Sequence, residues 1–531
     1  MQTKYIFMTG GVCSGLGKGI AAASLGRLLK ARGYRVTIQK FDPYINMYPG
    51  MLNPDQHGEV FVTDDGAEVD LDLGHYERFI DENLNAGNSV SAGRVYTEVL
   101  NTERRGGYKG STIQVIPHIT NAIKGHICCA GGNSDIIISE IGGTVGDIES
   151  LPFLEAIRQI MHDEGAANVM YVHVTLVPYL AFADEMKTKP SQHAVKELLS
   201  LGIRPDALVL RTEKPITTDL KDKLALFCNV DKDCIIENAN VDCIYEVPLL
   251  LEAERFADIV CKRLQLDQQP PDLTEWAALV KKYKDASKTI TIGLVSKYEL
   301  RDAYYSVFEA LKHAGITHNI KVNTKTIHAE RIWDNNVASQ LAGLDGILIP
   351  DGYGSRGVQG QISAARYARE NKIPFLGIGQ GMQCAALDFA RNVAGITNAN
   401  SAEDKTEISA PVIDHITPPA MDADTKPPMR KGAQPCKLNP DSIIHSAYGE
   451  TLIYERFRHL YKLNNQYRNE LTAHGLIESA HSPDNQFVEA IELPKSQHPW
   501  FVGVQFRPEF KSRLTRPSPL FTAFLGECVK E

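Results

Sequence analysis

A glycine-rich segment near the start of the chain has the residue types of a phosphate-binding loop. It runs from Gly10 to Gly19 as GGVCSGLGKG, between an apolar run and a helical pattern. Glycines at such a junction let backbone N–H groups approach phosphate oxygens at a helix N-terminus. We therefore predict that Lys18 meets the terminal phosphates of a nucleotide. The alternative is an ordinary glycine-rich turn, since five residues separate Gly11 from Gly17 and Gly19 stands where the usual motif has Ser or Thr.

Two acidic residues are candidates for holding a divalent cation beside those phosphates. Asp72 lies in DLDLGHYERF, and Glu140 ends the apolar run DIIISE. Without the motif hydroxyl, a magnesium ion needs other oxygens, and carboxylates supply them. An acid at the carboxyl end of a buried parallel strand lies where open α/β sheets bind ligands. Each acid taken singly also fits a solvated strand end.

Strand patterns alternate with helical patterns along both halves of the chain. The first half has KYIFMTGG, a helix around 20–32, and then RVTIQKFDPY, DIIISEIGGT, NVMYVHVTLVPY and ALVLRTE. The second half has TITIGLVSKY, DGILIPDGYG, PFLGIGQG and FVGVQFRPEF, interrupted by a stretch at 403–432 that is rich in Pro and charge. This alternation predicts two doubly wound α/β domains, with 403–432 as a surface loop insertion.

The domain boundary is predicted where the composition changes between these halves. Residues 267–289 contain a Pro pair followed by a polar amphipathic stretch, which is typical of a linker. The expected domains are therefore 1–266 and 290–531.

Composition excludes several classes of protein. The chain has 531 residues, of which 43% are hydrophobic and 23% charged, so it should fold into globular domains. A net charge of -9 argues against a general nucleic-acid or acidic-membrane surface. No apolar run has the length of a membrane span, and the N-terminus lacks the pattern of a signal peptide. The ten cysteines show no metal-ligand spacing, so we expect structural thiols in a reducing cytoplasm.

Longer motifs resemble the CTP synthase family over nearly the whole chain. They are KFDPYIN at 40–46, QHGEVFVTDDGAEVDLDLGHYERFID at 56–81, GGTVGDIES at 142–150 and KTKPSQ at 187–192, with CKLNP, NNQYR and TRPSPLF later on. The resemblance implies an amidoligase domain followed by a class I glutamine amidotransferase-like domain. It also implies that CTP is made from UTP, ATP and ammonia drawn from glutamine, with Mg²⁺, by a homotetramer.

The resemblance assigns roles to matching positions in the first domain. Lys18 and Lys40 match catalytic phosphate contacts, while Asp72 and Glu140 match magnesium ligands. The ATP-binding positions are Gly15, Leu16, Gly17, Lys18, Gly19, Ile20, Asp72, Ala239, Asn240 and Val241. The pyrimidine nucleotide positions are Ser14, Asp147, Ile148, Glu149, Lys187, Thr188, Lys189, Pro190, Ser191, Gln192 and Lys223. For the lysines at 187 and 189, the alternative is a solvated charge run.

The second domain departs from the family pattern at three chemical positions. Where the family has a Gly-Ile-Cys-Leu-Gly elbow, this chain has Gly379 as the middle residue. Arg507 replaces the His of the family's Phe-His-Pro-Glu-Phe segment, and an arginine cannot act as a general base. Leu460 replaces the Arg that would pair with the carboxylate of glutamine. Nucleophile, base and carboxylate partner are therefore all predicted to be missing.

Other positions of that pocket still match the family, namely Gly352, Gln383, Glu403 and Glu509. The pocket is then either repurposed for a new ligand or kept as a structural remnant. Arg507 and Glu509 would share a face if they lie on a strand, which predicts a local ion pair.

Two segments of the first domain also differ from the family. The segment 47–57 is bulkier and more apolar at Tyr48, Met51 and Leu52, and Lys109 stands where the family has Leu. These segments resemble the entrance for ammonia, so the amine and the pyrimidine stay open. We expect an enzyme that aminates UTP or a related nucleotide with free ammonia or another amine. The alternative is a non-catalytic paralogue that binds nucleotides and regulates or joins an active synthase.

Overall fold

The chain folds into two compact units, each built around its own sheet. The computed structural model describes residues 2–13, 15–404, 409–416 and 429–530. One unit comprises residues 1–51 and 69–280, and the other comprises 52–68 and 281–531. The segment 52–68 therefore belongs to the same unit as the C-terminal half of the sequence. The predicted boundaries, 1–266 and 290–531, assign this segment to the first domain.

Strands and helices alternate through both units. The strands are β1 Lys4–Gly10, β2 Val36–Asp42, β3 Phe61–Val62, β4 Glu68–Val69, β5 Ser89–Ser91, β6 Ile136–Ile141, β7 Val169–Leu176, β8 Tyr179–Leu180, β9 Glu185–Met186, β10 Ala207–Thr212, β11 Ile235–Ala239, β12 Lys288–Ser296, β13 Ile320–His328, β14 Gly346–Ile349, β15 Phe375–Ile378, β16 Ala399–Ser401, β17 Ala410–His415, β18 Arg430–Leu438, β19 Leu452–His459, β20 Tyr461–Leu463, β21 Ile477–His481, β22 Val488–Glu492 and β23 Phe501–Val504. The α-helices are α1 Lys18–Ala31, α2 Pro54–His57, α3 Asp72–Ile80, α4 Ala92–Arg104, α5 Thr120–Cys129, α6 Leu151–Glu164, α7 Lys189–Ser200, α8 Thr218–Cys228, α9 Val247–Ala253, α10 Phe256–Arg263, α11 Thr274–Asp285, α12 Tyr305–His318, α13 Val337–Leu341, α14 Val358–Asn371, α15 Gln380–Asn392, α16 Ile443–Tyr448, α17 Arg468–Ala473 and α18 Pro519–Val529.

The first unit is organised around a seven-stranded parallel sheet in the order β11-β10-β7-β1-β6-β2-β5. Its central strands are apolar throughout because both faces are buried, as β1 and β6 are along their full lengths. Helix α1 packs closely on this sheet, since Gly26 has no side chain and a Cβ there would lie 2.9 Å from side-chain atoms of Ile38 and Ile80. The predicted parallel α/β arrangement is confirmed. All loops that follow these strands leave from one edge of the sheet.

The second unit has a nine-stranded mixed sheet in the order β13-β12-β14-β15-β23-β22-β21-β18-β19. The five strands from β13 to β23 are parallel, which confirms the predicted α/β class. The remaining strands add on antiparallel, an arrangement that the sequence analysis did not predict. The predicted insertion at 403–432 contains strand β17, so a loop is wrong for 410–415, while 405–408 and 417–428 lie outside the described residues.

Helix α11 occupies most of the predicted linker at 267–289. In the part of the chain that the structure describes, no helix is both long and apolar enough to cross a membrane. All ten cysteines are free thiols, and most are buried, but Cys13, Cys128 and Cys129 are exposed. Burial therefore supports the predicted structural role for most of the thiols but not for these three.

Candidate active site

The glycine-rich segment forms an open loop between β1 and α1. Val12, Gly15 and Gly17 have φ angles of 82°, 69° and 87°, so the backbone repeatedly enters the left-handed region. Successive turns of this kind point N–H groups toward a common anion, and Gly17 directly precedes the α1 N-terminus. Gly15, Leu16, Gly17, Gly19 and Ile20 all lie on this loop or in the first turn of α1, while Ser14 lies outside the described residues.

Lys18 is the first residue of α1 and extends back across the loop. Its ammonium donates a hydrogen bond to the carbonyl of Gly143, which follows β6. Gly10 makes room for this path, because a Cβ there would lie 2.5 Å from Cδ of Lys18. Burial lowers the pKa of Lys18, while the charge of Glu140 opposes the shift. A buried ammonium beside backbone N–H groups is suited to neutralising phosphate charge.

Lys40 joins two carboxylates at the carboxyl edge of the sheet. Lys40 and Glu140 are register partners on β2 and β6, and Nζ lies 2.9 Å from Oε1 of Glu140. The same Nζ pairs with Asp72, the first residue of α3, and the hydroxyl of Tyr76 donates to Oε2 of Glu140. Burial by itself lowers the pKa of Lys40, but the charges of Asp72 and Glu140 outweigh it and raise the pKa.

Gly19 leaves room for two carboxylates where the usual motif has a hydroxyl. A Cβ at this position would lie 3.0 Å from Cγ of Asp72, closer still to Oδ1, and 3.3 Å from Oε2 of Glu140. The two carboxylates therefore approach the helix where a Ser or Thr side chain would stand. Their oxygens fit a magnesium ion, which is commonly held by one or two carboxylates plus substrate phosphates. No cluster of three or more His, Cys, Asp or Glu suited to a metal occurs among the described residues.

Two further aspartates lie beside this cluster and were missed by the sequence analysis. Asp42 ends β2, and Asp70 precedes α3. Burial raises the pKa of both carboxyls, and repulsion by Asp72 adds to the effect. Their positions, at the end of a parallel strand and just before a helix, could have identified them as candidate site residues from the sequence.

Arg211 lies between the glycine-rich loop and the segment 239–241. It lies near the end of β10, where Nη1 donates to the carbonyl of Asn238 at 2.9 Å and Nη2 donates to Oδ1 of Asn240 at 2.8 Å. A Cβ at Gly17 would lie 3.7 Å from Nε of Arg211. The structure thus places Ala239 and Asn240 in contact with Arg211, a residue that was not predicted, and Val241 follows them in the chain.

The predicted pyrimidine residues lie on loops and helix starts along the same unit. Thr188, Lys189, Pro190, Ser191 and Gln192 form the start of α7, and Asp147, Ile148 and Glu149 lie exposed just before α6. Lys187 pairs with Glu185 at 2.5 Å on the β8–β9 hairpin, and Lys223 is exposed on α8. Among the described residues, neither lysine contacts the cluster of Lys18, Lys40, Asp72 and Glu140.

In the second unit, three residues follow the carboxyl ends of three neighbouring parallel strands. Asp351 follows β14, Gly379 follows β15, and Arg507 follows β23. Gly379 has φ 55° and ψ -111° at the sharp turn into α15, so the predicted elbow is present. Such a conformation is strained for residues with a side chain, and glycine relieves it.

Arg507 lies between two buried carboxylates. Its Nε donates to Oε1 of Glu509 at 2.5 Å, and Nη1 donates to Oδ2 of Asp351 at 2.9 Å. The predicted Arg507–Glu509 ion pair is confirmed, although it forms across a turn after β23 and not along a strand. Burial by itself lowers the pKa of Arg507, but the two negative charges outweigh it and raise the pKa. The guanidinium therefore stays charged and donates only.

A cavity of about 180 Å³ lies beside the elbow. Gln380, Gln383 and Glu403 line it, and Glu403 accepts hydrogen bonds from the backbone N–H of Gly354 at 2.5 Å and from Nε2 of Gln380 at 2.8 Å. Cys384 also lines it, but burial raises the pKa of this thiol to about 12. It is therefore held as a thiol, the poorly nucleophilic form.

Comparisons with known proteins agree over the whole chain. The family model described as CTP synthase N-terminus matches residues 4–266, and glutamine amidotransferase class-I matches 299–526. A CTP synthase of Halalkalibacterium halodurans is 57% identical, with 100% of both chains covered. A CTP synthase of Clostridium kluyveri is 57% identical over 99% of this chain and 98% of its own. The chain belongs to the CTP synthase family.

A solved structure of the Trypanosoma brucei CTPS glutaminase domain with bound acivicin is 33% identical, covering 46% of this chain and 94% of that chain with a TM-score of 0.42. The remaining departures from the CTP synthase pattern are dispersed over both units. Leu460 is half-buried between β19 and β20, Tyr48 and Met51 are exposed, and Lys109 is exposed with φ 53°.

Proposed function

We propose that this protein catalyses the ATP-dependent amination of UTP, or a related 4-oxo-pyrimidine nucleotide, at C4 through a 4-phosphorylated intermediate. Membership of the CTP synthase family supports the substrate class. The observation that carries the proposal is the convergence of Lys18, Lys40, Asp72 and Glu140 beside an open phosphate loop. Pure nucleotide binding does not need two carboxylates at this place.

The residues divide the work of phosphoryl transfer between them. The 4-oxygen of a uracil ring is a poor leaving group, and phosphorylation makes it a good one. Asp72 and Glu140 would hold Mg²⁺, and a bound ion would supply positive charge to the transferred group. Lys18 places an ammonium at the loop, and Lys40 orients both carboxylates while adding a second positive charge.

The nitrogen comes from free ammonia or another amine, and glutamine is not used. Acyl transfer from glutamine needs a nucleophile on the elbow, a base to activate it and a partner for the substrate carboxylate. Gly379, Arg507 and Leu460 supply none of these, and the buried Cys384 remains a thiol. The cavity beside Glu403 is consistent with either a retained structural pocket or a new ligand.

Mass spectrometry of the products tests this function. The purified protein is incubated with Mg²⁺, ATP, UTP and a panel of amines that includes ammonium. Formation of CTP with ammonium, or of a heavier adduct with one amine, supports the proposal and identifies the donor. Absence of ATP consumption with every amine, despite measurable UTP binding, favours the non-catalytic paralogue instead.

A homotetrameric assembly and a cytoplasmic location remain expectations of this proposal. Light scattering on the purified protein, with and without ATP and UTP, gives the assembly state.

A further inference from the structure

Asp351 occupies a position that matters for acyl-transfer chemistry. Its Oδ1 accepts the backbone N–H of Gln380 at 2.8 Å, and its Oδ2 accepts Nη1 of Arg507 at 2.9 Å. The residue is 7% exposed, so the carboxylate is held away from solvent. Both oxygens are therefore engaged by donors of the second unit.

The N–H that Asp351 accepts is the one expected to stabilise a reaction intermediate. At a strand-to-helix elbow, the backbone N–H of the residue after the nucleophile donates to the developing oxyanion. Here that residue is Gln380, the first residue of α15. The N-terminus of this helix also favours negative charge. The chain itself thus supplies an anion where the reaction would develop one.

The same side chain fills the space of a nucleophile. A Cβ on residue 379 would lie 2.5 Å from Cγ and 2.9 Å from Cβ of Asp351, and closer still to Oδ1. Real Cβ atoms do not approach other atoms this closely, so a side chain at 379 requires Asp351 to move. Movement would break the contacts with Gln380 and Arg507.

Charge links the side chains of Asp351, Arg507 and Glu509 next to the elbow. Arg507 balances Asp351 on one side and Glu509 on the other, and all three side chains are buried. A neutral histidine in place of Arg507 would leave the two carboxylates without their counter-charge. Gly379 therefore leaves space for Asp351, and Arg507 balances the charge of Asp351. A cysteine at 379 would remove that space, and a histidine at 507 would remove that charge.

We propose that Asp351 is the residue that keeps this site closed to oxyanion formation, because its carboxylate fills both the anion position at Gln380 and the space of a side chain at 379. The proposal rests on the proposed loss of glutaminase activity and adds the residue that opposes its restoration. Asp351 is a positioning residue here, since it acts on the helix terminus and the elbow.

A double-mutant cycle on the full chain tests the steric part. Gly379→Ala should lower the melting temperature by roughly 5–10 °C in the wild-type background. In the Asp351→Gly background, Gly379→Ala should lower the melting temperature clearly less. In the Asp351→Asn background, where the side chain keeps its shape, Gly379→Ala should lower the melting temperature as much as in the wild type. Gly395→Ala measures the cost of a Cβ at positive φ without neighbours, since φ is 77° there and nothing lies within 4 Å.

Equal shifts for Gly379→Ala in the wild-type and Asp351→Gly backgrounds would overturn the proposal. If Asp351→Gly does not fold, Asp351→Ala replaces it. This variant retains only the Cβ at 2.9 Å, so partial relief is expected and no relief contradicts the proposal.

Alkylation of an introduced thiol tests the electrostatic part. In Gly379→Cys, the thiolate would face the carboxylate of Asp351, which disfavours it. In Gly379→Cys with Asp351→Gly, it would face a helix N-terminus and Arg507, which favour it. Peptide-resolved mass spectrometry should show alkylation of this thiol at pH 7 about tenfold faster in the double variant.

Equal alkylation rates would contradict the proposal. Glutamate release by the wild-type protein is a separate measurement. If the wild type hydrolyses glutamine, the proposed loss of glutaminase activity fails, whereas the cycle and the alkylation rates still report on whether Asp351 fills the space at 379 and disfavours an anion there.

Discussion

Lys40 shows how single residues in the first unit depend on one another. Its ammonium contacts Asp72 and Glu140, and Glu140 also accepts the Tyr76 hydroxyl. These groups come from β2, β6 and α3, so one substitution alters the position of several side chains. Conservative variants are therefore needed to separate chemistry from folding.

Lys18→Ala and Glu140→Gln should each lower ATP-dependent turnover by about 100-fold or more, because Lys18 would neutralise charge on the transferring phosphate and Glu140 would hold the Mg²⁺ beside it. The fold should persist, since the hydrogen bond of the Lys18 side chain goes to a backbone carbonyl and Gln matches Glu in shape. Turnover with UTP and ammonium measures the effect, and melting curves provide the control. Near-parental turnover in either folded variant would remove that residue from the site.

Glu455 predicts a pH dependence of stability in the second unit. Burial raises the pKa of its carboxyl to about 7, with Lys511 opposing, and Tyr448 donates to it at 2.8 Å. Because the folded pKa exceeds the unfolded value of about 4.3, the folded state holds the proton more tightly. The stabilisation is present below pH 4.3 and is lost as pH rises toward 7.

The loss over this range should amount to roughly 3 kcal/mol at most. Glu455→Gln should flatten this part of the curve, whereas Glu450→Gln, at an exposed position, should leave it unchanged. Denaturant unfolding between pH 5 and pH 8 measures the difference. A slope retained in Glu455→Gln would show that another group titrates.

The sequence predicted the chemistry of individual residues where side-chain type decided it. A glycine has no nucleophilic side chain and an arginine has no acceptor in any fold. The loss of the nucleophile at Gly379 and of the base at Arg507 could therefore be predicted from residue type alone. Asp351 was missed because its role depends on β14, β15 and β23 being neighbours, which brings residues 351 and 507 together. Asp42, Asp70 and Arg211 were missed for the same reason, since contacts of the sheet edge are not local in sequence.

At the scale of elements, the start of α1 gives a direct test of the phosphate loop. Gly19→Ala should reduce turnover by about 100-fold, because its Cβ would displace the Asp72 carboxylate. Gly125→Ala is the matched control, since Gly125 lies in α5 with nothing within 4 Å. It should leave turnover unchanged and stabilise the helix slightly. Full activity of Gly19→Ala would show that the position of the Asp72 carboxylate does not matter for the reaction.

Lys187 and Lys223 should affect the binding of UTP more than the binding of ATP. Lys187→Ala and Lys223→Ala should raise the KM for UTP by about 10- to 100-fold and change that for ATP little, because charge-assisted phosphate contacts are lost. Steady-state kinetics with each nucleotide varied in turn measures this. Equal effects on the KM values for UTP and ATP would show that these lysines do not belong to the UTP phosphate site.

Elements differed in how well the sequence specified them. Strands β1, β6 and β7 were found because continuous apolar runs are required when both faces are buried. The antiparallel strands β18, β19, β21 and β22 were not found, because their shorter or more polar runs resemble loops and edges. Their pairing is fixed by neighbours in the sheet.

At the scale of the molecule, the segment 52–68 shows what a serial division misses. Oδ1 of Asp55 accepts the N–H of Glu299 at 2.7 Å, and Oε2 of Glu59 accepts the N–H of Ser306 at 3.1 Å. Phe61 packs on Phe510 with ring centroids 4.9 Å apart. The first two pairs are 244 and 247 residues apart, and the aromatic pair is further apart still, so composition and periodicity cannot pair them.

The proposed nitrogen source predicts a pH dependence for the whole reaction. At fixed total ammonium the rate should climb with pH, because only unprotonated ammonia has a lone pair to attack the phosphorylated ring. Product formation between pH 7 and pH 9, at saturating ATP and UTP, measures this. A flat profile would mean that another amine is the substrate.

The most direct measurement is glutamate release from glutamine by the purified wild-type protein with Mg²⁺, ATP and UTP. Gly379, Asp351, Arg507 and Leu460 predict no glutamate above the enzyme-free blank and no nucleotide product from glutamine, while ammonium or a small primary amine gives product. Gly379→Cys alone should not change this result. Glutamate formed by the wild type at a rate that matches nucleotide product would contradict the proposed loss of glutaminase chemistry.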